Sequence, residues 1–161
     1  MPRHEQGHGH TVKKQQFANH CFGCGPGNDA GLRLKFSLDK QQKRFVCRFR
    51  LQSRFVGPPG HAHGGIIATI LDEAMGKVNK LREVIALTSR MEVTYLKPVP
   101  LSKPLVVEGW EVRVRGREHY NAAEIRNREG EVLASSKGKF IAIDPHRMFA
   151  KYLKKKHSDA T

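Results

Sequence analysis

The chain has 161 residues, 39% of them hydrophobic, and a formal net charge of +14 from 29 Lys and Arg against 15 Asp and Glu. The length suits one domain with a true hydrophobic core, and the longest apolar run, Gly64 to Leu71, falls far short of the roughly 20 residues that span a bilayer. The three cysteines, an odd number, exclude a complete disulfide framework, so a reducing cytoplasm is the expected location. Residues 1–16 read as a flexible basic and His-rich arm with no apolar segment, so no signal peptide is expected. "GLRLKFSL" (Gly31–Leu38) and "RFVCRFRL" (Arg44–Leu51) alternate apolar with polar residues, the pattern of two half-buried strands forming a hairpin. After "GPPG" the spacing predicts one helix over Gly64–Glu83. Four more strands follow: Ile85–Leu96, stopped by the prolines of "KPVP", Leu105–Gly116, Tyr120–Asn127, and Val132–Ile143. From residue 146 a basic tail, "HRMFAKYLKKKHSDAT", closes the chain, so a folded domain is expected over 17–145. Two strands, a long helix and four strands make an α+β class: an antiparallel sheet with one helix packed on it.

The helix carries the chemistry. Ile67, Ile70, Leu71, Ala74, Val78 and Leu81 fall on one broad stripe that must bury against the sheet. Asp72 lies roughly opposite, among Gly65, Ala68, Thr69, Gly76 and Asn79, all small or polar, where a second surface can approach closely. Glu73 instead turns toward Lys77 and Lys80, as an i,i+4 pairing residue does. At the helix start, Gly64 and Gly65 leave the unpaired N–H groups unshielded, so an incoming carbonyl oxygen can reach donors that also carry the positive end of the helix dipole. A carboxylate further along can then serve as base or nucleophile toward the carbonyl carbon.

"HGGIIATILDEAMG", preceded by "GPPG" and followed by "TSRMEVTYLKPVP", closely resembles the PaaI-like acyl-CoA thioesterases of the hotdog-fold superfamily, which also includes the 4-hydroxybenzoyl-CoA thioesterases. "CFGCGPGNDAGLRLKF" is similar to the opening segment of one branch, so the resemblance spans about Cys21 to Ile143. It implies a sheet wrapped around one long helix, dimers whose sheets join, often paired into tetramers, and active sites at the subunit interface. It also implies hydrolysis of an acyl-CoA thioester with no metal or other cofactor. By position, Asp72 matches the catalytic carboxylate, Gly64 with Gly65 the donor to the thioester oxygen, and His63 the motif histidine. Thr88 matches a hydroxyl residue that the neighbouring subunit contributes to place the attacking water. Some relatives carry an asparagine six residues before the motif histidine, where this chain has Gly57; His61 is a candidate substitute.

The phosphates of coenzyme A call for cations at the pocket mouth. "SSKGKF" offers Ser136, Lys137 and Lys139, and Arg90 stands two residues along the same strand from Thr88, so it is expected on the same sheet face. Cys21-x-x-Cys24 lacks a second paired motif, which favours a tight turn over a zinc site. "KGKFIAI" lacks the stacking aromatics of an RNA-recognition strand, so no specific nucleic acid is expected, and non-specific nucleic-acid binding through the basic tails is a minor reading. A dehydratase on the same fold would use a histidine and a carboxylate across the interface, but Asp72 sits at the thioesterase spacing; a non-catalytic acyl-CoA sensor would usually lose that carboxylate.

Overall fold

In the computed structural model, residues 19–153 are described, and they form two units, 19–35 and 36–153. The expected arm at 1–16 lies outside the described residues, as does 154–161 of the expected tail.

Residues 19–35 are a succession of tight turns. The Gly25 N–H donates to the Cys21 carbonyl (2.8 Å), and the Leu32 N–H to that of Phe22 (2.8 Å). Only glycine fits at position 25, because a Cβ there would lie 2.4 Å from the Asn19 carbonyl oxygen. The Cys-x-x-Cys thus spans a turn, as its spacing suggested. These turns consume the backbone that the alternating "GLRLKF" pattern offers to a sheet: Leu34 N–H also turns back, to the Gly23 carbonyl, and Arg33 sits at φ 51°. The first strand therefore shrinks from the expected Gly31–Leu38 to β1, Ser37–Asp39.

Residues 36–153 hold one six-stranded antiparallel sheet and one long helix. The strands are β1, β2 (Arg44–Phe49), β3 (Ile85–Tyr95), β4 (Leu105–Arg115), β5 (Glu118–Asn127) and β6 (Val132–Ile143), in the spatial order β1-β2-β4-β5-β6-β3. Helix α1 (Gly64–Val78) continues as a 3-10 turn, Asn79–Arg82, and ends where Glu83 enters the left-handed region at φ 54°. Ile67, Ile70, Leu71, Ala74 and Val78 of the apolar stripe are buried as the periodicity required, with Met75 added, whereas Leu81 falls in the 3-10 turn and is only half-buried.

Glycine fixes how closely the helix lies on the sheet. A Cβ at Gly109 on β4 would stand 2.4 Å from the Ala74 carbonyl oxygen, and one at Gly138 on β6 would meet Met75 and Phe140 at about 3 Å. The helix end is tied to β5 by the buried Asn121, whose side-chain amide donates to the Met75 carbonyl and to Asn79 Oδ1, both at 2.9 Å. Asn79, which the helical spacing put on the open face with Asp72, is buried for this reason. After β6, the Asp144 carboxylate caps α2 (Pro145–Met148) by accepting the His146 and Arg147 N–H groups, and α3 (Ala150–Leu153) follows. What the sequence suggested was a solvated tail from 146 begins as capped helical turns instead.

Candidate active site

The helix start is closed by its own N-cap. His63 has extended backbone torsions (φ −63°, ψ 139°), and its Nδ1 accepts the Gly65 N–H at 2.9 Å. Because Nδ1 is an acceptor, the neutral ring carries its proton on Nε2. The cap takes Gly65 out of the set of open donors, contrary to the pairing of Gly64 with Gly65 read from the sequence. The Gly64 N–H has no acceptor among the described residues. On the other side of the same residue, the Tyr95 hydroxyl donates to the Gly64 carbonyl at 2.8 Å and its ring lies against the glycine. The sequence reading missed Tyr95, whose signal was its place in the β3 alternation on the strand that faces the helix start.

Gly57 is explained by close approach. A Cβ there would stand 2.7 Å from the His63 Cα, so no side chain, asparagine included, fits without moving the backbone. His61, the candidate substitute, has its Nδ1 2.9 Å from the Pro59 carbonyl of its own loop.

Farther along α1, Asp72 meets Thr88. The chain leaves the helix through the Asn79–Arg82 turn and runs back along β3, which brings the Thr88 hydroxyl to Asp72 Oδ1 at 2.7 Å. The hydroxyl therefore comes from the same chain as the carboxylate, which corrects the expectation of a neighbouring subunit. Burial holds the Asp72 carboxyl above its ordinary range; the Thr88 hydrogen bond opposes this and the adjacent Glu73 charge adds to it. Glu73 is engaged as its spacing predicted, with Lys77 at 3.3 Å.

The expected phosphate grip is not assembled on this side. Ser136 faces the helix, buried, with its hydroxyl 3.2 Å from Met75 Sδ. Lys137, one residue on, falls on the opposite face and is exposed. Lys139 shares that outer face and is held by Glu118 at 2.5 Å, which raises its pKa. Arg90 was expected on the face of Thr88, but β3 bulges between them: Thr88 pairs with Phe140 and Arg90 with Lys139. One inserted residue moves everything beyond it to the other face, so Arg90 lies across the sheet from Thr88 and Asp72.

Comparison with known proteins gives the same picture. The thioesterase superfamily profile matches residues 59–134, which include the helix, Thr88, all of β3 through β5 and the start of β6. The chain is 31% identical over 122 residues to acyl-coenzyme A thioesterase THEM4 of Rattus norvegicus, covering 74% of this chain and 53% of the relative. It is 28% identical to human acyl-coenzyme A thioesterase THEM5, over 70% of this chain and 46% of that protein. The chain thus spans about half the length of these relatives. Among solved structures, a thioesterase superfamily protein superimposes with a TM-score of 0.72 at 30% identity, over 76% of this chain and 60% of the other. A Bacillus halodurans protein crystallised with CoA gives a TM-score of 0.61 at 25% identity, over 68% and 74%.

Proposed function

Because the chain belongs to the thioesterase superfamily, with the hotdog arrangement of sheet and helix, we propose that it hydrolyses an acyl-coenzyme A thioester to a free acid and coenzyme A. The observation that carries this reading is the half-buried Asp72 held by Thr88 at 2.7 Å. Thr88 occupies Oδ1, which leaves Oδ2 to take a proton from water as that water attacks the thioester carbon. Thr88 in this reading positions the carboxylate rather than the water. The oxyanion that forms is met by a helix-terminal N–H, the C–S bond breaks, and the coenzyme A thiolate leaves and is reprotonated.

One chain does not supply both halves of that site. Gly64 and Asp72 are eight residues apart on one helix, a separation of about 12 Å at 1.5 Å rise per residue. An N–H donor and a base acting on one carbonyl must lie within about 3 Å of it and its attacking water. The reading therefore pairs Asp72 and Thr88 of one copy with Gly64 of a second, across a two-fold axis that runs the two helices antiparallel. Two features support this assembly. β3 is an edge strand that pairs only with β6 among the described residues, and Leu87 and Tyr95 on it are 41% and 53% exposed. No helix among the described residues is long and apolar enough to cross a membrane, and the odd cysteine count supports a reducing compartment, the cytoplasm.

The test is Asp72→Asn, which keeps volume and can still accept the Thr88 hydrogen bond but removes the base. It is expected to lower kcat on the best acyl-CoA substrate by at least about 10²-fold with the fold retained. Unchanged hydrolysis would overturn the assignment.

A further inference from the structure

The proposed hydrolysis uses no cysteine, yet the chain carries a Cys-x-x-Cys whose two sulfurs the fold brings together. Cys21 and Cys24 belong to the turn closed by the Gly25 N–H on the Cys21 carbonyl, and both are in the thiol form. Residues three apart in such a turn have Cα atoms less than about 7 Å apart, near the span that a disulfide bridges. Gly25 keeps the turn this tight: a Cβ there would also stand 2.5 Å from the Cys21 N. The two Sγ atoms lie within 4.8 Å of each other, so bonding contact calls for side-chain rotation rather than a new backbone path. Both cysteines are half-buried and open to a small reagent, whereas Cys47 on β2 is 2% exposed.

We infer that Cys21 and Cys24 are a reversible dithiol–disulfide site, closed by exchange with a low-molecular-weight disulfide of the glutathione class. One cysteine thiolate attacks a sulfur of glutathione disulfide, forms a mixed disulfide and expels one glutathione thiolate. The second cysteine thiolate then attacks the protein sulfur of that mixed disulfide, forms the Cys21–Cys24 bond and expels the second glutathione. Two protein thiols thereby lose two electrons and two protons, and one glutathione disulfide becomes two molecules of reduced glutathione. The turn favours the second displacement, because the attacking sulfur is already held beside its target. A metal is the weaker use of the pair, since two thiols supply only half of the four ligands that a structural zinc takes. Residues 19–35 are also the part of the chain where a cross-link matters most. They are joined by turn hydrogen bonds and fall well short of the roughly 40 residues below which compact units usually need a disulfide or a metal. In a reducing compartment a pair of this kind is transient and redox-sensing rather than a permanent staple.

The experiment equilibrates the full-length protein over a range of ratios of reduced to oxidised glutathione and quenches with acid. The denatured chain is then alkylated with N-ethylmaleimide and weighed by mass spectrometry. The oxidised chain is expected to have lost two hydrogens and to take one label, at Cys47, where the reduced chain with its three cysteines takes three. Peptide mapping should join Cys21 to Cys24, and dithiothreitol should restore all three labels. Because the second displacement occurs within one turn, mixed disulfide should stay below about a tenth of the wild-type protein. Cys21→Ser and Cys24→Ser should accumulate mixed disulfide at least about tenfold above the wild type and form no internal bond. Cys47→Ser should oxidise at the same glutathione ratio as the wild type. A wild type that keeps three labels at every ratio, that stops at mixed disulfides, or whose disulfide includes Cys47 overturns the inference. So does a purified chain that carries one zinc ion and loses it in either the Cys21→Ser or the Cys24→Ser variant, because the thiols are then metal ligands.

Discussion

Asp72 is held in a state that suits a base and burdens the fold. Burial raises its pKa, so it binds protons more tightly folded than unfolded. With the folded pKa raised, the stability that Asp72 contributes is fully present below its unfolded pKa, near 3.9, and is lost as pH rises through the folded value. Asp72→Asn is therefore expected to raise the melting temperature at neutral pH, with the gain shrinking as the pH is lowered through the raised folded value and gone below about 4. A thermal scan over that range checks it; an equal gain at every pH would mean that the charge is not what destabilises the site. A gain in stability together with a loss of activity is the signature of a strained functional group rather than a structural one. The same residue shows what could be read from the chain beforehand. Its small-residue surroundings and its offset from the apolar stripe are local properties of one helix, and they singled it out. Its partner's subunit of origin depends on how the chain returns along β3, which no local pattern encodes.

At the scale of elements, the helix and the sheet meet through glycines that play different parts. Gly109 is required by the chain's own packing, because any Cβ there runs into the Ala74 carbonyl. Gly109→Ala forces backbone apart and should cost about 3 kcal/mol, the upper end of overpacking. Gly76, in the middle of α1 one turn past Asp72, is different: a Cβ there meets only Phe140, at an ordinary 3.9 Å. Gly76→Ala is expected to stabilise the isolated fold by about 0.5–1 kcal/mol through helix propensity. Denaturant unfolding of the two variants separates the roles, and a destabilised Gly76→Ala would show that the glycine serves this chain's packing. Element type and order were legible because each segment keeps one period over many residues: α1 buries its predicted stripe from Ile67 to Val78, and β6 keeps its predicted bounds, Val132–Ile143. The bulge between Thr88 and Arg90 was not legible, since one extra residue leaves the alternation plausible on either side while reversing the face of Arg90. For the same reason the alternation alone did not say which of Ser136 and Lys137 points into the core.

At the scale of the molecule, one chain presents two half-sites on one helix. The Gly64 N–H stands at one end and the Asp72–Thr88 pair two turns on, beside a strand with an open edge. On the proposed reading, a monomer has every residue the chemistry needs and no place where they converge. On the same reading, the formal charge of +14 favours a different step, capture of an anionic substrate, and its influence should be screened as salt shortens the Debye length to about 8 Å near 0.15 M.

The central claim is that catalysis needs Asp72 and Thr88 from one copy and the Gly64 N–H from another. Gly64→Pro removes only that N–H: proline is accepted at the first helical position, the extended His63 is compatible with a following proline, and a Cβ at position 64 has room beside Tyr95 at 3.6 Å. The measurement is acyl-CoA hydrolysis by co-refolded mixtures of inactive variants. Gly64→Pro mixed equally with Asp72→Asn should recover about a quarter of wild-type activity, because half the assortments are hybrid dimers with one intact site of two. Thr88→Ala mixed with Asp72→Asn should recover none, since every hybrid site then lacks one member of the Asp72–Thr88 pair. Recovery from the second mixture and not the first would contradict the account.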